Sequence, residues 1–370
     1  QMKKIRVLQF PISMNSGVTQ YAMNNWKFIS KDDFQFDFAM VRKNAVLEAE
    51  IKRMGAGVKH IFASADRDRE MYIREVGAML SERYDVVHLH TSFWKRLLIE
   101  ELAVQYQVPK IIVHSHSAFV EETDPLIRQN MLRVHMEFRA KFNPSLATDF
   151  WACSKAAADW LFGEQIPREK IKILKNAIDA EEYQFDSQIR EKTRKSLGLD
   201  GKFVIGHVGR FAFAKNHEFL LEVFRDVSRT DPKAVLLLVG TGPLESEIQK
   251  RVEEEGLSER VLFAGQRKDV PALLQTMDVF CLPSRFEGLG LALVEAQAAG
   301  LPCLISQAVP KEGVLTDLVT RLPLECNLWV EKIRGLCHDD LIRPDTLWAI
   351  TDAGYNIKYQ IREIERQYRE

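Results

Sequence analysis

The stretch 282–300, LPSRFEGLGLALVEAQAAG, carries two carboxylates, Glu287 and Glu295, with seven residues between them and two glycines, Gly288 and Gly290, in the intervening turn. Glycines beside a helix start let backbone N–H groups come close to a ligand, and the positive helix end favours an anion there. Eight residues of helix advance about 12 Å and come back to within about 80° of the starting face. The two carboxylates can therefore grip different hydroxyl groups of one elongated ligand. A diphosphate carrying a sugar at one end and a nucleoside at the other has that shape. Strand, glycine turn and helix also recur throughout doubly wound α/β proteins, so the motif needs support from elsewhere in the chain.

Gly209-Arg210 supplies some of it, following the apolar run 203–208, with Lys215-Asn216 at the start of the next helical pattern. Arginine offers a planar fork and lysine a point charge, both suited to a diphosphate. Gly240-Thr241-Gly242-Pro243 closes the following strand as a tight turn that shapes the same pocket. In the first half the chemistry is sparser. Gly17 follows the first strand, a weaker signal than a full G-x-G-x-x-G. His116 ends the strand 110–116, where a histidine more often serves as a plain hydrogen-bonding residue.

The elements that must position these groups alternate. Apolar runs at 4–10, 34–41, 58–61, 85–90, 110–116, 149–153 and 171–174 are separated by helical patterns, with Ser154 as an N-cap for 155–162. A charged connector at 179–201 follows, and the alternation restarts at 203–208, 234–239, 261–263, 278–282 and 302–306. This predicts an α/β chain of two parallel sheets with a ligand cleft between two layers. The expected domains are 1–178, completed by one helical tail at 347–370 with Tyr355, Ile357, Ile361 and Ile364 on its stripe, and 179–346. The pattern at 121–142 mixes Arg128, Arg133, Arg139 and Lys141 with apolar bulk; it reads as a surface helix whose apolar stripe packs on the sheet, with an anionic bilayer as the alternative.

Composition excludes several classes. Among 370 residues, 51 Lys plus Arg balance 52 Asp plus Glu, which speaks against a nucleic-acid partner. Five well-separated cysteines argue against a disulfide framework, and no apolar run reaches the length of a membrane span. A cytoplasmic protein is expected. There is no D-x-D and no evident metal-ligand spacing, so no metal and no cofactor are expected.

Taken together, Gly209-Arg210, Lys215-Asn216, VGTGP (239–243), FAGQRKDV (263–270) and EGLGLALVEAQAAGLP (287–302) resemble the retaining glycosyltransferases of family 4, which have the GT-B fold of two Rossmann-like domains. Ser16-Gly17-Val18, FWACS (150–154) and KILKNAID (172–179) resemble first-domain landmarks of the same family, so the likeness spans nearly the whole chain. Its form is closest to the bacterial enzymes of capsular and exopolysaccharide assembly. The resemblance implies that Arg210 and Lys215 bind the donor diphosphate, that Glu295 binds the ribose, and that Glu287 with the amides of Gly288, Leu289 and Gly290 holds the sugar. Gln266 and Arg267 would lie by the base, Gly17 and Gly209 by phosphate, and His116 by the donor sugar. Ser16 stands where the family commonly has a glycine, and Leu289 replaces a commoner Phe. The implied donor is a UDP-sugar, the acceptor a glycan or lipid-linked sugar, and the implied contact with the inner membrane face is peripheral. The rival readings are a GT-B epimerase or phosphorylase and a non-catalytic nucleotide-sugar scaffold.

Overall fold

The computed structural model describes residues 3–13, 16–120, 122, 124–336 and 342–370. It divides into two units, 1–177 with 357–370, and 178–356.

The first unit is built on seven parallel strands: β1 (Ile5–Ile12), β2 (Phe34–Met40), β3 (Gly57–His60), β4 (Val86–Thr91), β5 (Lys110–Ser115), β6 (Asp149–Ala152) and β7 (Ile171–Ile173). Their order is β3-β2-β1-β4-β5-β6-β7. The second unit holds β8 (Phe203–Val208), β9 (Ala234–Val239), β10 (Val261–Gly265), β11 (Val279–Leu282), β12 (Cys303–Ser306) and β13 (Val319–Leu322), in the order β10-β9-β8-β11-β12-β13. Helices cover both faces of each sheet, which is why β9, AVLLLV, is buried at every position and reads as a continuous apolar run. Six of the helices start on side-chain caps that accept from the first turn, at Ser16, Asn44, Asp68, Asp124, Ser154 and Asp186.

In three places the structure departs from the pattern. The tail is two helices, Leu347–Asp352 and Ile357–Arg369, divided at Gly354. Tyr355 packs with Ile178, Leu289 and Ile350 in the second unit, whereas Ile361, Ile364 and Tyr368 enter the core of the first. The helix Pro125–Lys141 buries only His135, which stacks on Trp160 at 4.0 Å and accepts from the Trp94 N–H at 3.0 Å. Its apolar stripe packs as expected only in part: Phe138 and, at the C-cap, Phe142 join the first unit's core, whereas Leu126 is 77% and Met136 49% exposed. Glu121, within that pattern, lies outside the described residues, as do Cys337 and, before the first helix, Asn15. Lastly, β13 and the helix Cys326–Leu336 were not anticipated. No helix among the described residues is long and apolar enough to cross a membrane.

Candidate active site

At the centre of the second sheet, β8 and β11 are neighbours. The chain leaves β8 towards β9 on one side and β11 towards β12 on the other. At such a switch point the outgoing loops part and leave a crevice at the carboxyl edge of the sheet. The two loops here are 209–216 and 283–290. They are tied together by the Arg285 N–H, which donates to the Ala214 carbonyl at 2.7 Å, and by the Arg285 guanidinium, which donates to the Phe213 carbonyl at 2.9 Å. The turn after β9 presses on the first loop. A Cβ at Gly240 would sit 2.1 Å from the Gly209 oxygen, and one at Gly242 would sit 2.5 Å from the Phe211 oxygen, so only glycine lets these backbones meet.

Lys215 makes an ion pair with Glu287, and the Ser284 hydroxyl donates to the same carboxylate oxygen at 2.7 Å. The Glu287 side chain is 6% exposed and that of Lys215 21%, so this pair lies inside the crevice wall. Arg210, at the end of β8, is exposed, and its guanidinium has no partner among the described residues. The sequence placed Lys215 on phosphate and Glu287 on sugar; in the structure they hold each other. Gly290, in the left-handed region at φ 77°, leads into the helix Leu291–Ala298. Only Glu295 is therefore helical, one turn in, and the helical spacing assumed between the two carboxylates does not apply. Leu289 buries its side chain with Ile178, Val294 and Tyr355. The Gly288 and Gly209 backbones lie on the two loops themselves.

Glu295 stands apart from the Lys215 pair and accepts one bond, from the Tyr183 hydroxyl at 3.1 Å. Burial pushes its carboxyl up to about 7, and the tyrosine bond only partly offsets this. Gln266 and Arg267 are exposed in the loop after β10, where Arg267 is tied to Asp269 by two bonds of 2.7 and 2.6 Å. Tyr183 and Ser284 were not anticipated from the sequence.

In the first unit, Gly17 opens the helix Gly17–Phe28 with Ser16 as its cap, and a Cβ there would meet nothing within 4 Å. Its own packing does not require a glycine. His116 turns out to belong to a cluster. His88 and His90 on β4, with His114 and His116 at the end of β5, share the sheet face that also carries Ile112 and Trp151. His90 lies opposite His114 in the register. Bonds link His88 Nε2 to His114 Nδ1 at 3.0 Å and His90 Nδ1 to His116 Nε2 at 2.8 Å. Gln9 closes the system, its Oε1 2.7 Å from His90 Nε2 and its Nε2 3.2 Å from the Tyr368 hydroxyl, which lies 2.8 Å from His88 Nδ1.

The amide orientation dictates the proton order. Oε1 of Gln9 can only accept, so His90 carries its proton on Nε2, its Nδ1 accepts, and His116 must donate from Nε2. Tyr368 accepts from the Gln9 amide and donates to His88, which donates in turn from Nε2 to His114. Each ring is thus neutral with Nε2–H. Burial holds all four well below the ordinary histidine range, His116 at about 3. Nitrogens of His88, His90 and His114 also lie within 4.8 Å of one another. This grouping was missed, although H-x-H occurs in both strands. The paired nitrogens, 2.8 and 3.0 Å apart, are closer than the roughly 3.3 Å edge of a tetrahedron of ligands about zinc. In this arrangement they are hydrogen-bonded to each other.

Two Rossmann-like parallel sheets, the second with cations and carboxylates gathered at its switch point, define a glycosyltransferase of the GT-B architecture. The fold matches the crystal structure of Anabaena Alr3699/HepE in complex with UDP and glucose, with a TM-score of 0.78 over 99% of both chains at 19% identity. Residues 189–347 match the family model described as Glycosyl transferases group 1. EpsF of Bacillus subtilis (strain 168), named as a glycosyltransferase, is 31% identical over 345 residues, covering 89% of this chain and 86% of that protein. The UDP-Gal:alpha-D-GlcNAc-diphosphoundecaprenol alpha-1,3-galactosyltransferase of Escherichia coli is 26% identical over 301 residues, 79% of this chain and 76% of that protein. The chain belongs to the group 1 glycosyl transferases.

Proposed function

We propose that the protein is a retaining glycosyltransferase of family 4 that moves a sugar from a UDP-sugar to an acceptor hydroxyl in the assembly of a cell-surface polysaccharide. The observation that carries this is the crevice between the loops after β8 and β11. There Lys215 is paired with the nearly buried Glu287, and the exposed Arg210 guanidinium, without a partner among the described residues, lies at the end of β8. When a diphosphate enters, Lys215 exchanges Glu287 for phosphate, and the freed carboxylate accepts from sugar hydroxyls. Glu295 takes the ribose.

The bond between the sugar C1 and the β-phosphate oxygen breaks, and its electron pair leaves with the diphosphate, where Arg210 and Lys215 meet the developing charge. The acceptor oxygen attacks C1 from the face that the diphosphate is leaving, and its proton passes to a diphosphate oxygen, so the anomeric configuration is kept. Side-chain cations do this work, and the reading is metal-independent. The E. coli relative's name supplies a diphosphate-linked sugar as the model for the acceptor, which would bring the enzyme to the inner membrane face.

The test is release of UDP from a panel of UDP-sugars by wild type and Lys215→Ala. Loss of a cation aimed at the leaving group is expected to lower kcat roughly 100- to 1,000-fold. Equal release by the two proteins would remove the reading.

A further inference from the structure

Tyr183 belongs to none of the motifs singled out in the sequence, yet it reaches the ribose end of the candidate site. It lies in the segment before the helix Ser187–Ser196, and its hydroxyl donates to Glu295 Oε1 at 3.1 Å across 112 positions of sequence.

The segment that carries it is fastened to the second unit. Gln275, buried at the end of the helix Val270–Thr276, donates from Nε2 to the Tyr183 carbonyl at 3.0 Å and to the Gln184 carbonyl at 3.2 Å. Its Oε1 accepts from the Asp186 N–H at 3.2 Å. The Tyr183 ring packs against the apolar cluster that holds Ile178, Leu289 and Val294. Backbone and ring are thus both fixed, and the hydroxyl has a set place. It is also a dependable donor. Burial, and after it Glu295, Glu182 and Asp179, holds its ionisation well above the ordinary tyrosine range, so it keeps its proton throughout the neutral range.

The last torsion of a glutamate side chain is broad and poorly fixed by sterics alone. A hydroxyl donating to one oxygen fixes it. With Oε1 engaged by Tyr183, Oε2 has no hydrogen-bond partner among the described residues, and it remains, with the second lone pair of Oε1, for a vicinal diol. The same bond favours the ionised carboxyl that burial opposes, and no cation among the described residues helps it.

We propose that Tyr183 is a positioning residue for the donor: its hydroxyl holds the Glu295 carboxylate ionised and turned so that it accepts from both ribose hydroxyls. This rests on the reading above in which Glu295 takes the ribose. The strength of donor binding and its dependence on pH are then set in part by a side chain outside every phosphate- and sugar-binding loop.

Tyr183→Phe keeps the ring and its packing and removes only the donor. Two measurements on the full chain test it, each on protein shown to be folded by its ¹⁵N–¹H spectrum. In the first, ¹³C spectra follow the Glu295 carboxyl through a pH titration without ligand, the signal being assigned by its loss in Glu295→Gln. The wild-type midpoint is expected at about 7, and that of the variant about one unit higher, a tenfold loss of ionisation for a hydrogen bond to the charged form. In the second, calorimetry follows the binding of UDP-glucose. The variant should bind about tenfold more weakly than wild type at pH 6, about fivefold more weakly at pH 7 and within about twofold at pH 8.5, as the ionised fractions of the two proteins converge.

A carboxyl midpoint that stays in place overturns the proposal. So does a loss of affinity that is equal at pH 6 and pH 8.5, since a tyrosine that only fills space has no reason to act through ionisation. If the midpoint moves as expected but Glu295→Gln binds UDP-glucose as wild type does, it is the ribose reading of Glu295 that fails, and the proposal fails with it.

Discussion

Glu295→Gln should separate the stability of the second unit from its affinity for donor. The ordinary carboxyl value is 4.5, and in the folded chain burial raises it to about 7. The folded state thus holds this proton more tightly than the unfolded chain, so stability is greatest below about pH 4.5 and falls as pH rises through 7. The gap amounts to about 3 kcal/mol, and because Glu295 is partly open to water, about 2 kcal/mol is the better expectation. Glutamine keeps the shape and never ionises. Urea unfolding should therefore find Glu295→Gln equal to wild type at about pH 4 and more stable by about 2 kcal/mol at pH 8.

Affinity should move the other way. A carboxylate accepts from both ribose hydroxyls only when ionised. A donor that binds the ionised form should weaken about tenfold between pH 8 and pH 6, as the ionised fraction falls around a midpoint of about 7. A UDP-sugar is the right probe, since its diphosphate diester does not titrate in that window. The glutamine variant should bind weakly and without this pH dependence. Parallel stability curves for the two proteins at both pH values would refute the claim that the carboxyl is buried without compensation. Donor affinity unaffected by the substitution would refute its role at the ribose.

Two further outcomes concern the supports of the site. Asp278 is buried and holds Arg190 at 2.5 Å, Arg194 at 3.3 Å and the Val204 N–H at 2.7 Å. Asp278→Ala would take the counter-charge from two guanidinium groups that otherwise hold only backbone carbonyls, and should cost about 3–5 kcal/mol in urea unfolding, with a loss under 1 kcal/mol counting against that account. In ¹⁵N–¹H spectra of the imidazoles, His88, His90, His114 and His116 should all carry the proton on Nε2, and Gln9→Leu should mix the tautomers and cost about 2–3 kcal/mol by leaving the His90 Nε2–H without its acceptor and the Tyr368 oxygen without its amide donor. Unaltered tautomers in that variant would show that Gln9 does not set the order.

How much of this was legible depended on whether a signal was local. Strands buried on both faces announce themselves as unbroken apolar runs, and β8 and β9 fall where the runs do. β13, VTRL, is only half-buried along its length and carries no such run. The tail kept a helical stripe on both sides of Gly354, so periodicity alone joined two helices that belong to different units. At the site, residue types were readable but pairings were not. Nothing local says that Lys215 will sit on Glu287, 72 positions away, or that Tyr183 will be the donor to Glu295. The histidines were read one at a time because their grouping depends on the register of β4 against β5.

The buried acids show how structural and ligand-directed groups part company. An ionised carboxylate offers about four acceptor positions. Asp278 fills most of its capacity with two arginines and a backbone amide, and Asp37 is held by Arg6 at 3.1 Å and the Tyr84 hydroxyl at 2.7 Å. Among the described residues, Glu295 has one hydroxyl and no cation, and the Oε2 of Glu100 has no hydrogen-bond partner. Both are pushed upward, to about 7 and about 8. Packing alone does not explain these two acids, since an apolar residue of similar size would fill either place without the cost of an unmet acceptor. Each sits in its own unit, Glu295 in the helix after β11 and Glu100 in the helix Leu98–Gln105 after β4.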